Sequence, residues 1–172
     1  MKTTLLLAML LTSCGPSNAS FKNSNVNNTF TGFVAMFEEL MSTKVQYTTI
    51  SFRSQASPQV GLCLYQKGGK ENYIYVDPSF WAKASFIEQT SLIFHELGHC
   101  HYKLAHIEGQ ENGCPMSIMS PWIPSETCLD LNFDQYVDQL KETVESGGNL
   151  YEPGDSEVIE HVLMKNIEGN NE

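Results

Sequence analysis

His95, Glu96, His99 and His106 are the residues of this chain whose types and spacing can do chemistry. Residues four apart share one face of a helix, so His95 and His99 would present two imidazoles to one divalent ion. Glu96, beside the first of them, is the acid that such a pair needs as a proton acceptor for a metal-bound water. A third imidazole at His106 would leave the fourth tetrahedral position for that water, the mark of a catalytic rather than a structural Zn²⁺ site. With this chain's His and Glu content the His-Glu-x-x-His spacing alone would arise by chance in roughly one such sequence in a hundred. It is therefore the additional His106 and the residues around it that give the pattern its weight.

Two other readings of these side chains follow from the residue types. His95 and His99 would otherwise be surface histidines on an amphipathic helix, with Glu96 an ordinary solvated acid. If His106 is not the third ligand, Glu126, Asp130 or a later glutamate could complete a site of two histidines and a carboxylate. His101 points away from the His95–His99 face, and His161 has no evident partner.

The elements that must hold these groups can be read from periodicity. Phe33, Met36, Phe37 and Leu40 recur at helical spacing, with Thr29 or Thr31 available as a cap. Residues 45–52, 60–65 and 72–76 are rich in β-branched and aromatic residues and predict three short strands, the last two joined by a Lys-Gly-Gly-Lys turn. Ser85 and Glu88 form a capping box for a helix running through at least His101, which places His95 and His99 in its second half. Phe133, Tyr136, Val137 and Leu140 predict another helix up to Glu145. Ile159, Val162, Leu163 and Ile167 predict a short amphipathic helix over 156–167. The fold class expected is α+β: a short mixed sheet packed on a leading helix and an active-site helix, with C-terminal helices.

The ends of the chain carry different information. Lys2 and the apolar run Leu5–Leu11, followed by Leu-Thr-Ser-Cys14, resemble a bacterial lipoprotein signal, which would leave lipid attached to Cys14. Residues 14–29 are rich in Asn and Ser and predict a flexible tether. The expected organisation is a signal over 1–13, a tether over 14–29, one domain over 30–146 and an acidic C-terminal segment over 147–172. Without Lys2 there remain nine Lys and Arg against twenty Asp and Glu, a net charge near −11, and Arg53 is the only arginine. That balance argues against nucleic-acid binding, which depends on cationic contacts to phosphate, and against electrostatic adhesion to anionic lipid. Cys63, Cys100, Cys114 and Cys128 form an even set, as expected of disulfides in an exported protein. Four cysteines allow three pairings; the favoured one joins Cys63 to Cys100, tying a strand to the histidine helix, and Cys114 to Cys128.

With these residues in view, the chain resembles the zincin metallopeptidases, and metzincins in particular, over roughly Thr31 to Leu140. His95, Glu96 and His99 match their core motif. Met119 in Ser-Ile-Met-Ser-Pro, with Pro121 two residues on, resembles their Met-turn, the methionine floor beneath the metal. The resemblance implies Zn²⁺ as cofactor, Glu96 as general base, a peptide or protein substrate and a monomeric enzyme anchored in the bacterial cell envelope. The chain departs from the family twice. Where metzincins have a glycine three residues after the second histidine it has Tyr102, and His106 comes one residue late, so the helix must break between Tyr102 and Ala105 without glycine. Ser120 stands where some members carry a tyrosine that assists the transition state; Tyr102, Tyr136 or His101 are the substitutes on offer. The alternative reading is a non-catalytic envelope lipoprotein with a structural or vestigial metal site.

Overall fold

A computed structural model describes residues 24–66, 69–148, 150 and 158–165. The expected signal, Cys14 and the first part of the expected tether therefore lie outside the described residues. The domain is mixed α+β. Its order is β1 (Asn25–Val26), a 3-10 turn (Asn28–Phe30), α1 (Thr31–Leu40), β2 (Thr48–Phe52), β3 (Gln59–Gln66), β4 (Asn72–Val76), α2 (Pro78–Trp81), α3 (Phe86–Tyr102), the two-residue pair β5 (Gln110–Glu111) and β6 (Cys114–Pro115), α4 (Glu126–Glu145) and β7 (Val158–Met164). Five strands make one sheet in the order β1-β2-β4-β3-β7. β1, β2 and β4 run parallel, and β3 is antiparallel to both of its neighbours β4 and β7.

Two expectations are corrected. The ordered fold starts before residue 30: Asn25 and Val26 pair with Thr49 and Ile50, and Asn27 caps the following turn through its side chain. Within the stretch 156–167 expected as a helix, Val158–Met164 is instead a strand of the main sheet. Its apolar residues fit both periods, and the tie is broken by β-branched content together with the unpaired edge that β3 would otherwise expose. Val158–Met164 thus belongs to the main sheet.

α3 is the axis of the structure. Its capping box is formed, with Ser85 N–H donating to Glu88 Oε2 at 2.8 Å and Ser85 Oγ accepting from Glu88 N–H. Every residue from Thr90 to Cys100 is buried, so the helix is enclosed all round rather than on one stripe. α1 lies against it through Phe37 and Phe94, whose rings meet edge to face at 5.1 Å. Phe30, Phe33 and Trp81 extend that aromatic layer, with centroids 4.9–5.1 Å apart. Cys63 and Cys100 are disulfide-bonded, locking β3 to α3, and Cys114–Cys128 joins β6 to the first turn of α4. Among the described residues no helix is long and apolar enough to cross a membrane.

Candidate metal centre

The rings of His95, His99 and His106 converge. Their ligand atoms lie within 4.8 Å of one another, and His95 Nε2 and His99 Nε2 are 2.9 Å apart. Ring centroids are 4.5 Å apart for His95–His99, 4.7 Å for His99–His106 and 5.3 Å for His95–His106. Glu126 and Asp130, on the exposed first turns of α4, take no part in this cluster.

Each of the two helix ligands is aimed by a backbone carbonyl. His95 Nδ1–H donates to Ile118 O at 2.8 Å, and His99 Nδ1–H donates to Leu104 O at 2.6 Å. A carbonyl can only accept, so both rings carry their proton on Nδ1 and turn an Nε2 lone pair toward the same point. Two facing lone pairs at 2.9 Å repel, and a cation between them removes the repulsion. A tetrahedral ion at 2.0–2.1 Å from each nitrogen would hold them about 3.3 Å apart, an opening of only a few tenths of an ångström.

The third histidine arrives by an unusual turn. α3 stops at Tyr102 because Lys103 adopts a left-handed conformation, with φ +61°. That turn lets Lys103 N–H donate to His99 O and Leu104 N–H reach back to Gly98 O. The strain of a non-glycine residue there is offset by what the lysine side chain does. Its Nζ donates to Cys100 O at 2.6 Å and Asn72 Oδ1 at 2.7 Å, and lies 3.8 Å from the centre of the Tyr65 ring. Burial pushes its pKa down to about 8. Beyond Ala105 the chain is tied down again by Ile107 N–H donating to Met119 O at 2.9 Å. His106 is half-buried, and desolvation lowers its pKa against the opposing charge of Glu108, which favours the neutral imidazole that a metal requires.

Met119 is fully buried under this assembly. A Cβ at Gly98 would run into its Sδ and Cε, so the glycine inside the His-Glu-x-x-His motif is what lets the thioether sit directly on α3. Ser120 is buried and its Oγ accepts from Trp122 N–H at 3.2 Å. Of the tyrosines considered as a substitute there, Tyr136 donates its hydroxyl to Pro115 O at 2.6 Å, and Tyr102 packs toward α1 against Phe37 and His101. His101 itself hydrogen-bonds Thr43 at 2.9 Å on that same side. Among the described residues His101 is not part of the histidine cluster.

Glu96 is fully buried, and among the described residues neither carboxylate oxygen has a hydrogen-bond partner. Desolvation raises its pKa well above the usual carboxylate range. The space it occupies is made by Gly61 of β3, where a Cβ would collide with Glu96 Oε1 and press on Cδ at 3.0 Å. Gly61 and Lys103 are the positions that reading the sequence missed. A glycine inside the apolar run Val-Gly-Leu-Cys-Leu-Tyr is the signal of close approach that would have found the first. Three converging imidazoles, two of them with Nε2 atoms 2.9 Å apart, fit a divalent cation. All-nitrogen donors in this number are compatible with zinc.

Comparison with protein-family models, curated proteins and solved structures finds no match to this chain.

Proposed function

We propose that this protein is a zinc-dependent metallopeptidase of the zincin type, exported and held in the bacterial envelope by lipid on Cys14. The observation that carries the reading is Glu96: a fully buried carboxylate with no hydrogen-bond partner among the described residues, on the helix that presents His95 and His99. A site that only held the fold together would have no use for an acid left unpaired in the interior, where it costs stability. Two disulfides support the exported part of the reading, since such bonds persist in oxidising compartments.

In this reading His95, His99 and His106 hold zinc, which when bound supplies Lewis acidity to a coordinated water and to the scissile carbonyl. Glu96 takes the proton of the attacking water and passes it to the leaving amine. Its raised proton affinity suits a group that must both accept and release. Ile118 O and Leu104 O keep the two helix imidazoles in one tautomer and one orientation through the cycle. Met119 packs on α3 at Gly98, the residue before His99, as a polarizable floor to the site.

The test is direct. Zinc-loaded protein should bind one equivalent of metal and cleave an unstructured protein such as casein. Glu96→Gln should keep the metal and lose at least about 100-fold in rate, the scale of a positioned general base. Undiminished cleavage by that variant would reject the mechanism.

A further inference from the structure

β3 is the sheet strand that roofs Glu96, through Gly61, and is bonded covalently to α3 through Cys63–Cys100. Its outer edge would be open to an extended chain, but it is taken by β7, in register from Gln59↔Met164 to Gln66↔Val158. Leu163 stands opposite Gly61, one strand away from the carboxylate, and β7 also packs against α3. The far side of β7 is bonded at its last residue, Met164. Met164 N–H donates to Pro121 O at 3.0 Å, Ile123 N–H donates to Met164 O at 2.9 Å, and Trp122 and Met164 form a parallel bridge. At its Met164 end β7 therefore lies between the strand over Glu96 and the segment that follows Met119.

We propose that β3 and Pro121–Ile123 are the two walls of a groove for an extended peptide, and that β7 is the chain's own displaceable occupant of it. This rests on the peptidase reading above and extends it to how substrate is held and withheld. The walls are fixed: β3 by its disulfide, and the Met119–Ile123 segment by Ile107 N–H on Met119 O. The occupant is held differently. It pairs with β3 through the main chain from Val158 to Met164, and of its described side chains Leu163 is buried while Val162 and Met164 are half-buried. Main-chain hydrogen bonds are exchangeable one for one with those of any other extended chain, the logic of strand addition. A tethered strand competes at an effective concentration on the order of millimolar, so the intact protein would be latent toward dilute substrates. The occupant also indicates the substrate class: an extended, unfolded segment with an apolar side chain where Leu163 sits.

The probe is a fluorescent synthetic peptide with the sequence of residues 158–164, titrated by anisotropy into zinc-loaded full-chain Glu96→Gln protein. Two variants loosen β7: Leu163→Asp removes its buried side chain, and Met164→Pro deletes the N–H given to Pro121. Near-UV circular dichroism and zinc stoichiometry check that each is folded. At least tenfold tighter peptide binding in either folded variant than in the parent is expected. Equal binding in folded variants and parent would overturn the proposal. So would loss of folding in both, because a strand the domain needs in order to fold is not a displaceable occupant. The same variants with Glu96 intact separate the two readings. Tighter peptide binding with no casein cleavage by any protein leaves the groove standing and removes the peptidase; cleavage that neither variant accelerates, with unchanged binding, does the reverse.

Discussion

Gly61 of β3 lies directly over the carboxylate of Glu96, and the hydrogen in place of a side chain is the room in which that carboxylate sits. The obstacle in a Gly61→Ala protein is the far end of a flexible side chain, so the fold can adjust by turning Glu96 aside. The expected result is a small loss of stability, about 1–2 kcal/mol, with a much larger loss of turnover. A displacement of about 1 Å in a reacting group costs on the order of 100-fold. Urea unfolding beside kcat for casein cleavage checks it, and parallel small losses in both would refute it.

Metal binding and folding should be linked. His95, His99 and His106 have converging rings, so an ion that binds them stabilises the native state alone. With free zinc at 100 times its dissociation constant the gain is about 2.7 kcal/mol. Calorimetry with and without a chelator should show a higher melting temperature for the zinc form. His99→Ala should melt at one temperature in both conditions. Identical melting of the wild-type protein in both would count against any metal at the cluster.

The two disulfides close loops of different length, with sequence separations of 37 and 14. Chain entropy then assigns about 4 kcal/mol to Cys63–Cys100 and about 3 kcal/mol to Cys114–Cys128. Replacing each pair by serines should reproduce that order in urea unfolding. Only the first loss should also weaken zinc binding, because it frees β3 from the helix that carries His95 and His99. A reversed order, or zinc affinity lowered equally by both, would contradict this.

Lys103 gives a pH dependence with a definite sign. Its ammonium titrates near 8 in the folded protein because of burial, against about 10.4 in an unfolded chain. Between those values the unfolded state binds more protons, so the stability contributed by this group rises with pH across the window. Below about 8 the penalty for holding the charge in the fold is present in full. The stability difference between wild type and Lys103→Met should therefore move in favour of wild type from pH 8 to pH 10. A flat or falling difference would show that the lysine is not desolvated.

What could be read from the sequence was what is local. Ser85 and Glu88 are three residues apart and His95 and His99 four, so helix geometry alone brings each pair together. The need for a break after Tyr102 was equally plain, but not that Lys103 would make it. Lysine has no intrinsic preference for φ above zero, and its stabilising contacts, Asn72 and Tyr65, lie on strands about thirty residues or more away in the chain. Gly61 over Glu96 depends on how β3 is set along α3, which no short window contains. Val158–Met164 satisfies two periodicities, and only the β3 edge, almost a hundred residues earlier, decides between them. The brief β1 pairing at Asn25 and Val26 is likewise a long-range event in a segment whose composition reads as tether.

The left-handed Lys103 also bears on how other chains of this kind are to be found. What an ion demands of its ligands is that the nitrogens meet; the number of residues between them is set by the route the backbone takes round the bend. Here that route uses φ +61° at a lysine and places His106 seven residues after His99. A search keyed to a glycine and a gap of six would pass over such chains. One that asks for a buttressed long side chain at the bend, a glycine before the second histidine and a methionine about twenty residues after it would gather them.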